Sequence, residues 1–294
     1  MKDLVVIIVL NQNKKDDLLE CIDSIVKLDY KEFKIIVVDN ASTDGSVEAI
    51  KRIYPDIHLI ENKINSGVAG GRNLGIKYAN EKFNFSFILF LDNDVILNKN
   101  SLTEMIKSFE EGENIGIVTP KCYLMNSPAT IGYAGGMRVN LFTGKISDIG
   151  NNEKDKGQFD HSDLVSACGG LCLVNHKVIN EVGMFDEKFN PYGWEDVDYS
   201  LRTRKHGFKI FYNHEAIVYH KGGKKQRDGM AYEYEFSKTK NYFYLIKKHA
   251  NIFQLLTIGF ILPLKALFIV GKELFSGKFK LLFSQARGFL SLFR

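Results

Sequence analysis

The sequence contains few residues that interrupt or cross-link a chain. It has five prolines, four cysteines and one tryptophan among 294 residues, and it has no glycine/serine tract. Because prolines and glycine/serine tracts are typical of linkers, we do not expect a flexible junction between separate domains. The cysteines are scattered and mostly lie within apolar runs, which predicts reduced core thiols rather than disulfides or a zinc site: they are Cys21, Cys122, Cys168 and Cys172.

A strong excess of one charge is also absent. The formal net charge is +4, with 45% hydrophobic and 25% charged residues, which is typical of globular proteins and excludes disordered, collagen-like and coiled-coil chains. This balance gives no indication of a nucleic-acid partner. The charge is unevenly distributed, however, because residues 238–294 carry ten Lys and Arg against one acid, which leaves −5 for residues 1–237. We therefore expect two zones of different function.

Apolar runs alternate with segments of helical periodicity in the first hundred residues. Residues 4–10 (LVVIIVL) predict a first strand buried on both faces of a parallel sheet, rather than a signal peptide. Residues 14–28 have apolar side chains at helical spacing. Further strands are predicted at 33–38, 58–60 and 85–91, and further helices at 46–54 and 70–79. This order indicates a doubly wound α/β sheet, whose ligands bind beyond the carboxyl ends of its strands.

The pattern after residue 100 is less regular. We expect hairpins and a surface loop over 134–160, because this segment is rich in glycine and polar residues. The other predicted elements are helices at 101–110, 176–182 and 195–206, an ordered apolar segment at 164–174, and strands at 116–120, 208–212 and 216–219. Residues 1–225 are interpreted as one mixed α/β domain and residues 226–294 as a C-terminal region.

Polar residues and glycines follow the predicted strands. Asp39 ends the second strand, where a carboxylate can accept a hydrogen bond from a nucleobase or a ribose, although a capped turn is the alternative. Residues 65–75 (NSGVAGGRNLG) place glycines where a helix is predicted to start. Bare backbone N–H groups beside Arg72 would suit a diphosphate there, and close packing is the alternative reason for the glycines.

An Asp-Asn-Asp sequence directly follows the run at 85–91. Asp92 and Asp94 stand one residue apart at a strand end, which predicts a divalent cation that can bridge diphosphate oxygens. His220 follows the strand predicted at 216–219 and is a candidate further ligand, although a lone histidine is usually structural.

An acidic cluster is predicted at the start of a later helix. Trp194 precedes Glu195, Asp196 and Asp198. Acids in a first helical turn complement the helix macrodipole, which is one interpretation. The other is a general base beside an aromatic surface for a sugar ring, with the helix N-terminus keeping the carboxylate ionised.

Taken in order, these motifs resemble the family 2 glycosyltransferases. The matching segments are VVDN, NSGVAGGRN, LDND, CGGLCLV, FDEKFNPYGWEDVDYSLRTRKHG and YHKGG. They cover roughly residues 4–225, and the glycine-rich segment most resembles the rhamnosyltransferase-like subgroup. The resemblance implies the GT-A fold, a Mn²⁺ or Mg²⁺ ion and inversion at the anomeric carbon. The implied reaction moves a sugar, such as rhamnose from dTDP-rhamnose, to a hydroxyl group of a glycan or lipid-linked saccharide in cell-surface polysaccharide synthesis.

The resemblance also implies roles for individual residues. Asp196 would deprotonate the acceptor hydroxyl, with Glu195 as the substitute. The metal would be held by Asp92, Asp94 and His220. Donor binding would involve Asn11, Asp39, Gly70, Gly71, Arg72, Asn73, Asp92 and Trp194, with Asp39 on the nucleobase. Asn93 departs from the pattern, because relatives also carry an acid at the middle position of the metal motif.

The C-terminal region is basic and apolar. Residues 251–270 contain a single charge, Lys265, and one proline, Pro263. This stretch is long enough to span a bilayer, but the lysine and the proline favour a position in the membrane interface. Residues 272–294 mix apolar residues with Lys and Arg at helical spacing, which is typical of an amphipathic helix on an anionic surface. We expect a cytoplasmic protein peripheral at the inner face of the membrane; the alternative is helices packed on the catalytic domain or on a second copy of the chain.

Three other functions are weighed against this interpretation. A transferase of the same fold that uses a UDP-hexose or UDP-N-acetylhexosamine donor differs only in contacts that no motif fixes. A nucleotidyltransferase would show a glycine-rich loop with Arg and Lys after the first strand, which residues 10–13 (LNQN) lack. A non-catalytic sugar- or membrane-binding scaffold is disfavoured by the full set of acids.

Overall fold

Strands and helices alternate in the first part of the protein. The computed structural model describes residues 3–221, 231–261 and 287–288. The first elements are β1 (Val5–Asn11), α1 (Lys15–Val26), β2 (Phe33–Asp39), α2 (Ser46–Ile53), β3 (His58–Glu61), α3 (Gly67–Lys82) and β4 (Phe87–Asp92). Each was predicted from the sequence, except that α3 begins three residues earlier than expected.

The second part contains more short strands. After β5 (Val95–Leu97) and α4 (Ser101–Lys107) come β6 (Ile115–Leu124), β7 (Ser127–Ala134), β8 (Met137–Asn140), β9 (Lys145–Asp148), β10 (Asp163–Leu164) and β11 (Cys172–Asn175). The chain continues with α5 (His176–Val182), α6 (Glu195–Lys205), β12 (Lys209–His220) and α7 (Ala231–His249). Strands β8 and β9 form the hairpin expected in the 134–160 segment.

Most strands join one mixed sheet. Its order is β10-β12-β6-β11-β4-β1-β2-β3, with β5 on β12 and β7 on β6. The strands from β4 to β3 are parallel, and β11 is antiparallel to both β4 and β6. In this register Asn11 lies beside Asp39, and Leu10 lies beside Asp92. The polar residues that follow three different strands therefore meet at one edge of the sheet.

Both faces of the parallel strands are covered by helices. Val5, Ile7 and Val9 pack with α1 on one face, whereas Val6 and Ile8 pack with α3 on the other. This arrangement explains why the first strand is apolar at every position, since no side of it meets water.

The expectation of two separate strands at 208–212 and 216–219 was wrong. Both belong to β12, whose pairing with β6 shifts in register between Asn213 and Ile217. The amide of Asn213 donates to the backbone oxygen of Glu104 and to the hydroxyl of Ser108. The polar residues between the two predicted strands are therefore a bulge that anchors α4 and the turn after it.

The helix α7 packs on the body of the protein, although it lies beyond the predicted boundary at 225. Its Leu245 is buried with Ala167, Phe189 and Val197. The division into regions 1–225 and 226–294 stays a prediction. Residues 252–261 are helical, whereas most of the predicted amphipathic stretch lies outside the described residues. No helix in the described ranges is both long enough and apolar enough to cross a membrane.

Candidate active site

A cavity of about 790 Å³ lies at the edge of the sheet where β1 and β4 end. Its wall includes Asn11, Asp92, Asn93, Asp94 and His220, and α7 contributes Glu233, Phe236 and Ser237. A cavity of this size accommodates a small organic ligand, and polar groups at the ends of β1 and β4 and on α7 line it.

A row of hydrogen bonds connects the ends of three strands. The Nδ2 atom of Asn93 donates to Oδ1 of Asn11 at 2.6 Å, and Nδ2 of Asn11 donates to Oδ1 of Asp39 at 2.9 Å. The second oxygen of Asp39 accepts from the backbone N–H of Ser42 at 2.8 Å. Asp39 is only 2% exposed. Asn11 and Asn93 therefore stand between Asp39 and the cavity, and the predicted contact of Asp39 with a nucleobase stays a prediction.

The structure brings together two of the three predicted metal ligands. Nε2 of His220 lies 3.1 Å from Oδ1 of Asp94, because β5 pairs with the end of β12 and places His220 opposite Val95. Burial opposes the ionisation of Asp94, but the hydrogen bond and the charge of His220 outweigh it and lower the pKa of this carboxyl. Asp94 is therefore ionised at neutral pH, as a metal ligand must be.

Asp92 lines the same cavity but is paired elsewhere. Its Oδ1 accepts a hydrogen bond from Nη2 of Arg72 at 3.2 Å, and its side chain is 46% exposed. Among the residues that the structure describes, no three His, Cys, Asp or Glu side chains are close enough together to hold a metal ion. The carboxylate and imidazole of Asp94 and His220 nevertheless fit Mn²⁺, with positions left for ligand oxygens.

The glycines of α3 are explained by packing. A Cβ atom added at Gly75 would lie 2.7 Å from Cγ2 of Ile8, and one added at Gly70 would lie 2.9 Å from Cβ of Ser66. Gly71 is similarly close to Leu10. This is the alternative that the sequence left open, because a helix without side chains at Gly71 and Gly75 can approach Leu10 and Ile8 of β1 closely. A donor-binding role for Gly70 and Gly71 stays a prediction.

The first backbone N–H groups of α3 already have partners. The N–H of Gly67 donates to Oδ1 of Asn65 at 2.8 Å, and that of Val68 donates to the oxygen of Pro191 at 2.9 Å. Asn73 exchanges hydrogen bonds with the backbone of Phe185 at 2.9 and 3.0 Å. It thereby fastens the loop before α6 to α3, and its predicted contact with the donor stays untested.

Arg72 is buried between the metal motif and the acidic cluster. Its side chain is 3% exposed, and Nη1 lies 3.8 Å from Oε1 of Glu195 while Nη2 contacts Asp92. The guanidinium also packs near the rings of Phe90 and Phe185, at 5.9 and 5.5 Å from their centroids. Arg72 therefore connects two predicted parts of the site that are far apart in the sequence.

The acids at the start of α6 are less ionised than expected. Burial and the charge of Glu195 raise the pKa of Asp196 to about 7, although Arg72 acts in the opposite direction. Burial also raises the pKa of Glu195, against the attraction of Arg72. The helix N-terminus was expected to keep the carboxylate ionised, but the effect of burial on its pKa is larger. A carboxylate with this pKa is suited to act as a general base near neutral pH.

Trp194 and α7 close the other side of the acidic cluster. The indole Nε1 of Trp194 donates to the backbone oxygen of Lys238 at 2.9 Å, and the ammonium of Lys238 lies 5.2 Å from the indole ring centroid. The predicted stacking of a sugar on Trp194 stays a prediction.

No pattern in the sequence pointed to contacts of α7 with the acidic cluster or with the loop before it. Asn241 donates to the backbone oxygens of Phe189 and Tyr192 and so fixes the loop before α6. Asp198 binds the end of α7 through Lys248 and His249. No local pattern signals these contacts, because each joins segments about 50 residues apart.

Comparison with known proteins identifies the family. The model of glycosyl transferase family 2 matches residues 4–183. The low-salt glycan biosynthesis hexosyltransferase Agl10 of Haloferax volcanii is 26% identical over 212 residues, which are 71% of this chain and 64% of that protein. A poly-beta-1,6-N-acetyl-D-glucosamine synthase of Staphylococcus epidermidis is 22% identical over 209 residues, which are 70% of this chain and 47% of the relative. The chain thus spans about half to two thirds of the length of these curated relatives.

Solved structures share the fold. GalNAc-T7 with UDP, GalNAc and Mn²⁺ superposes with a TM-score of 0.63 at 15% identity, over 83% of this chain and 48% of that one. The mannosyltransferase PcManGT from Pyrobaculum calidifontis, in complex with GDP-Man and Mn²⁺, gives 0.60 at 15% identity, over 98% and 86% of the two chains. These likenesses confirm the predicted GT-A fold. Because the family model matches more than half of the sequence, the chain belongs to glycosyl transferase family 2.

Proposed function

We propose that this protein is an inverting, metal-dependent glycosyltransferase that moves a sugar from a nucleotide-sugar donor to a hydroxyl group of a glycan or lipid-linked saccharide. The observation that carries the proposal is the cavity at the sheet edge, which has the Asp94–His220 pair on its wall. Asp92 on the same wall contacts Arg72, and Arg72 lies close to Glu195. The next residue is Asp196, whose pKa is raised to about 7. Family membership supports the same reaction.

The residues have separate roles in this proposal. Asp94 and His220 would hold Mn²⁺ or Mg²⁺ beside Asp92, and the ion would offset the charge that develops on the departing diphosphate. Asp196 takes the proton of the acceptor hydroxyl, whose oxygen bonds to the anomeric carbon as the bond from that carbon to the diphosphate oxygen breaks. This single displacement inverts the anomeric carbon and needs no covalent intermediate on the protein. Asn11 and Asn93, backed by Asp39, would contact the nucleoside.

The donor is proposed to be dTDP-rhamnose, with a UDP-hexose or UDP-N-acetylhexosamine as the second candidate. The resemblance of the glycine-rich segment to the rhamnosyltransferase-like subgroup supports dTDP-rhamnose. The names of two relatives, a hexosyltransferase and a poly-N-acetylglucosamine synthase, favour the second. Both candidates use the same metal and base.

Calorimetric titration with dTDP, UDP and GDP, each with and without Mn²⁺, tests the proposal. Metal-dependent binding of dTDP alone would support a deoxysugar donor, and preference for UDP would support a hexose or N-acetylhexosamine donor. If none of the three binds, the proposed function is wrong.

Residues 251–294 are proposed to hold the protein on the inner face of the cell membrane. The helical residues 252–261 expose large apolar side chains: Ile252, Phe253, Leu256 and Phe260 are each at least 63% exposed. Phe142, at the tip of the β8–β9 hairpin, is 53% exposed and accepts a hydrogen bond from Thr257 through its backbone oxygen. An apolar surface of this kind beside a net charge of +9 in residues 238–294 suits an anionic lipid surface.

Flotation with vesicles of phosphatidylglycerol and phosphatidylcholine tests membrane binding. We expect binding that weakens at high salt and is lost in a Phe253→Ser/Leu256→Ser variant. The control is Ile64→Ser, since Ile64 is 76% exposed outside this region. Absence of binding together with a dimer mass in light scattering would instead support a homo-oligomer formed through the C-terminal helices.

A further inference from the structure

Arg72 is shared by two carboxylates that belong to opposite sides of the proposed site. Nη2 donates to Oδ1 of Asp92 at 3.2 Å and to the backbone oxygen of Gly170 at 3.0 Å, while Nη1 is 3.8 Å from Oε1 of Glu195. Arg72 and Glu195 are buried, whereas Asp92 faces the cavity. One buried cation therefore contacts both the cavity wall and the acids at the start of α6.

The structure leaves little space around this guanidinium. A Cβ atom added at Gly170 would lie 2.8 Å from Nη2 of Arg72 and 3.3 Å from Oδ2 of Asp92, whereas one added at Gly169 would meet no atom of the described residues within 4 Å. A methyl group at Gly170, unlike one at Gly169, would therefore press against the ends of the Arg72 and Asp92 side chains, which would have to shift. In the described part of the chain, the buried Nε atom of Arg72 has no hydrogen-bond partner, so the polar contacts of the side chain are those of Nη1 and Nη2 with Asp92, Gly170 and Glu195.

We propose that Arg72 is a positioning residue that couples nucleotide binding at Asp92 to the Glu195–Asp196 pair. This inference rests on the proposed function, which places the metal and the diphosphate next to Asp92. A buried guanidinium needs a charged partner. When a cation and a diphosphate bind at Asp92, Arg72 pairs with Glu195 instead of with Asp92. Conversely, when Glu195 is neutral, Arg72 stays on Asp92 and competes with the cation.

Coupling of this kind is reciprocal, so it can be measured from the nucleotide side without any turnover. The Mn²⁺-dependent affinity for the nucleoside diphosphate that binds best among dTDP, UDP and GDP is determined by calorimetry for the wild type, Glu195→Gln, Arg72→Met and the double variant. We expect Glu195→Gln to weaken binding about fivefold or more when Arg72 is present, and less than about twofold when it is Met. A purely structural role for Arg72 would not make the effect of Glu195→Gln depend on it.

The matched glycines provide a second test that keeps the buried charge. Gly170→Ala displaces the guanidinium from Asp92, so we expect it to reduce the effect of Glu195→Gln to less than about twofold. In Gly169→Ala the effect should stay about fivefold. If Arg72→Met does not fold, the comparison of Gly170→Ala with Gly169→Ala still tests whether the effect of Glu195→Gln depends on Arg72.

Three outcomes would contradict the inference. It is wrong if Glu195→Gln weakens binding equally with and without Arg72, or if it has no effect in either background. It is also wrong if the two glycine variants behave alike. Nucleotide binding without this coupling overturns the inference alone, whereas a wild type that binds none of the three nucleotides overturns the proposed function with it.

Discussion

Nε2 of His249 on α7 donates a hydrogen bond of 2.7 Å to the carboxylate of Asp198 on α6. Asp198 is fully buried, and Arg202 and Lys248 also contact it, at 2.9 and 2.8 Å. The third acid of the cluster therefore fixes α7 to α6 two residues after Asp196. Because α7 forms one wall of the cavity, this contact also fixes the cavity relative to the proposed base.

Asp198→Asn is expected to destabilise the protein by about 3–5 kcal/mol, because it removes the fully buried carboxylate with which Arg202, Lys248 and His249 pair. Urea unfolding at pH 7 measures this change. Asp16→Asn is the control, since Asp16 is an exposed acid in the first turn of α1, and it should change stability by no more than about 0.5 kcal/mol.

The pH dependence of this difference follows from the charge of Asp198. Burial opposes ionisation, but hydrogen bonds from His249 and Lys248 lower the pKa of Asp198 to about 2. A carboxyl with a depressed pKa stabilises the folded state above its unfolded pKa, and this stabilisation is lost as the pH falls through the folded pKa. The difference between wild type and variant should therefore shrink between about pH 4 and about pH 2. A difference that stays constant over this range would contradict the assignment.

Asp196→Asn should abolish sugar transfer and leave nucleotide binding intact. The amide cannot accept the hydroxyl proton, so we expect the turnover rate to fall by about 10²- to 10⁴-fold. Release of the nucleoside diphosphate measures turnover, and calorimetry with Mn²⁺ measures binding. A variant that retains most of its turnover would assign the base to Glu195 instead, and equal loss of binding and turnover would indicate a structural role.

The rate of transfer should rise with pH. Burial and Glu195 raise the pKa of Asp196 to about 7, and only the ionised form can accept a proton. At a fixed Mn²⁺ concentration, kcat/KM for the acceptor should therefore increase between about pH 6 and about pH 8 and then level off. A profile that is flat across this range would exclude Asp196 as the base.

Asp94→Asn should remove the metal dependence of nucleotide binding. The hydrogen bond and the charge of His220 keep Asp94 ionised against the effect of burial, and its loss is expected to weaken Mn²⁺-dependent binding about 10-fold or more. Chelation with EDTA should weaken wild-type binding similarly. Asp44→Asn is the control, because Asp44 accepts hydrogen bonds from Lys15 and Ser46 and takes no part in the proposed metal site. Retained metal dependence in Asp94→Asn would contradict the site.

Gly75→Ala should destabilise the protein by about 1–3 kcal/mol, because the added methyl group would overlap the fully buried Ile8. The matched variant is Gly259→Ala, since a Cβ atom there meets no atom within 4 Å among the residues that the structure describes. Ala in this helix should be neutral or stabilising, by up to about 1 kcal/mol. Thermal unfolding of both variants tests whether the glycines of α3 serve packing.

Local patterns were sufficient for the alternation of strands and helices and for the identity of the polar residues at the strand ends. The run of apolar residues in β1 reflects burial on both faces, and the position of Asp92 at the end of β4 follows from where the apolar run of β4 ends. The strand β5 was missed because three residues show no usable periodicity. Two strands were predicted where β12 runs through a bulge, because the residues between them are polar.

The sequence by itself determined the family, the order of the elements and the edge of the sheet where ligands bind, because these depend on spacing within short segments. Only the tertiary structure decided which charged groups meet. Arg72 lies 123 residues before Glu195, and Asp94 lies 126 residues before His220. In the folded protein the charged atoms of these pairs are 3.8 and 3.1 Å apart. Burial in the folded protein, more than the adjacent charge of Glu195, also raises the pKa of Asp196. Such pairings arise from packing of the whole sheet with its helices, and no local pattern records them.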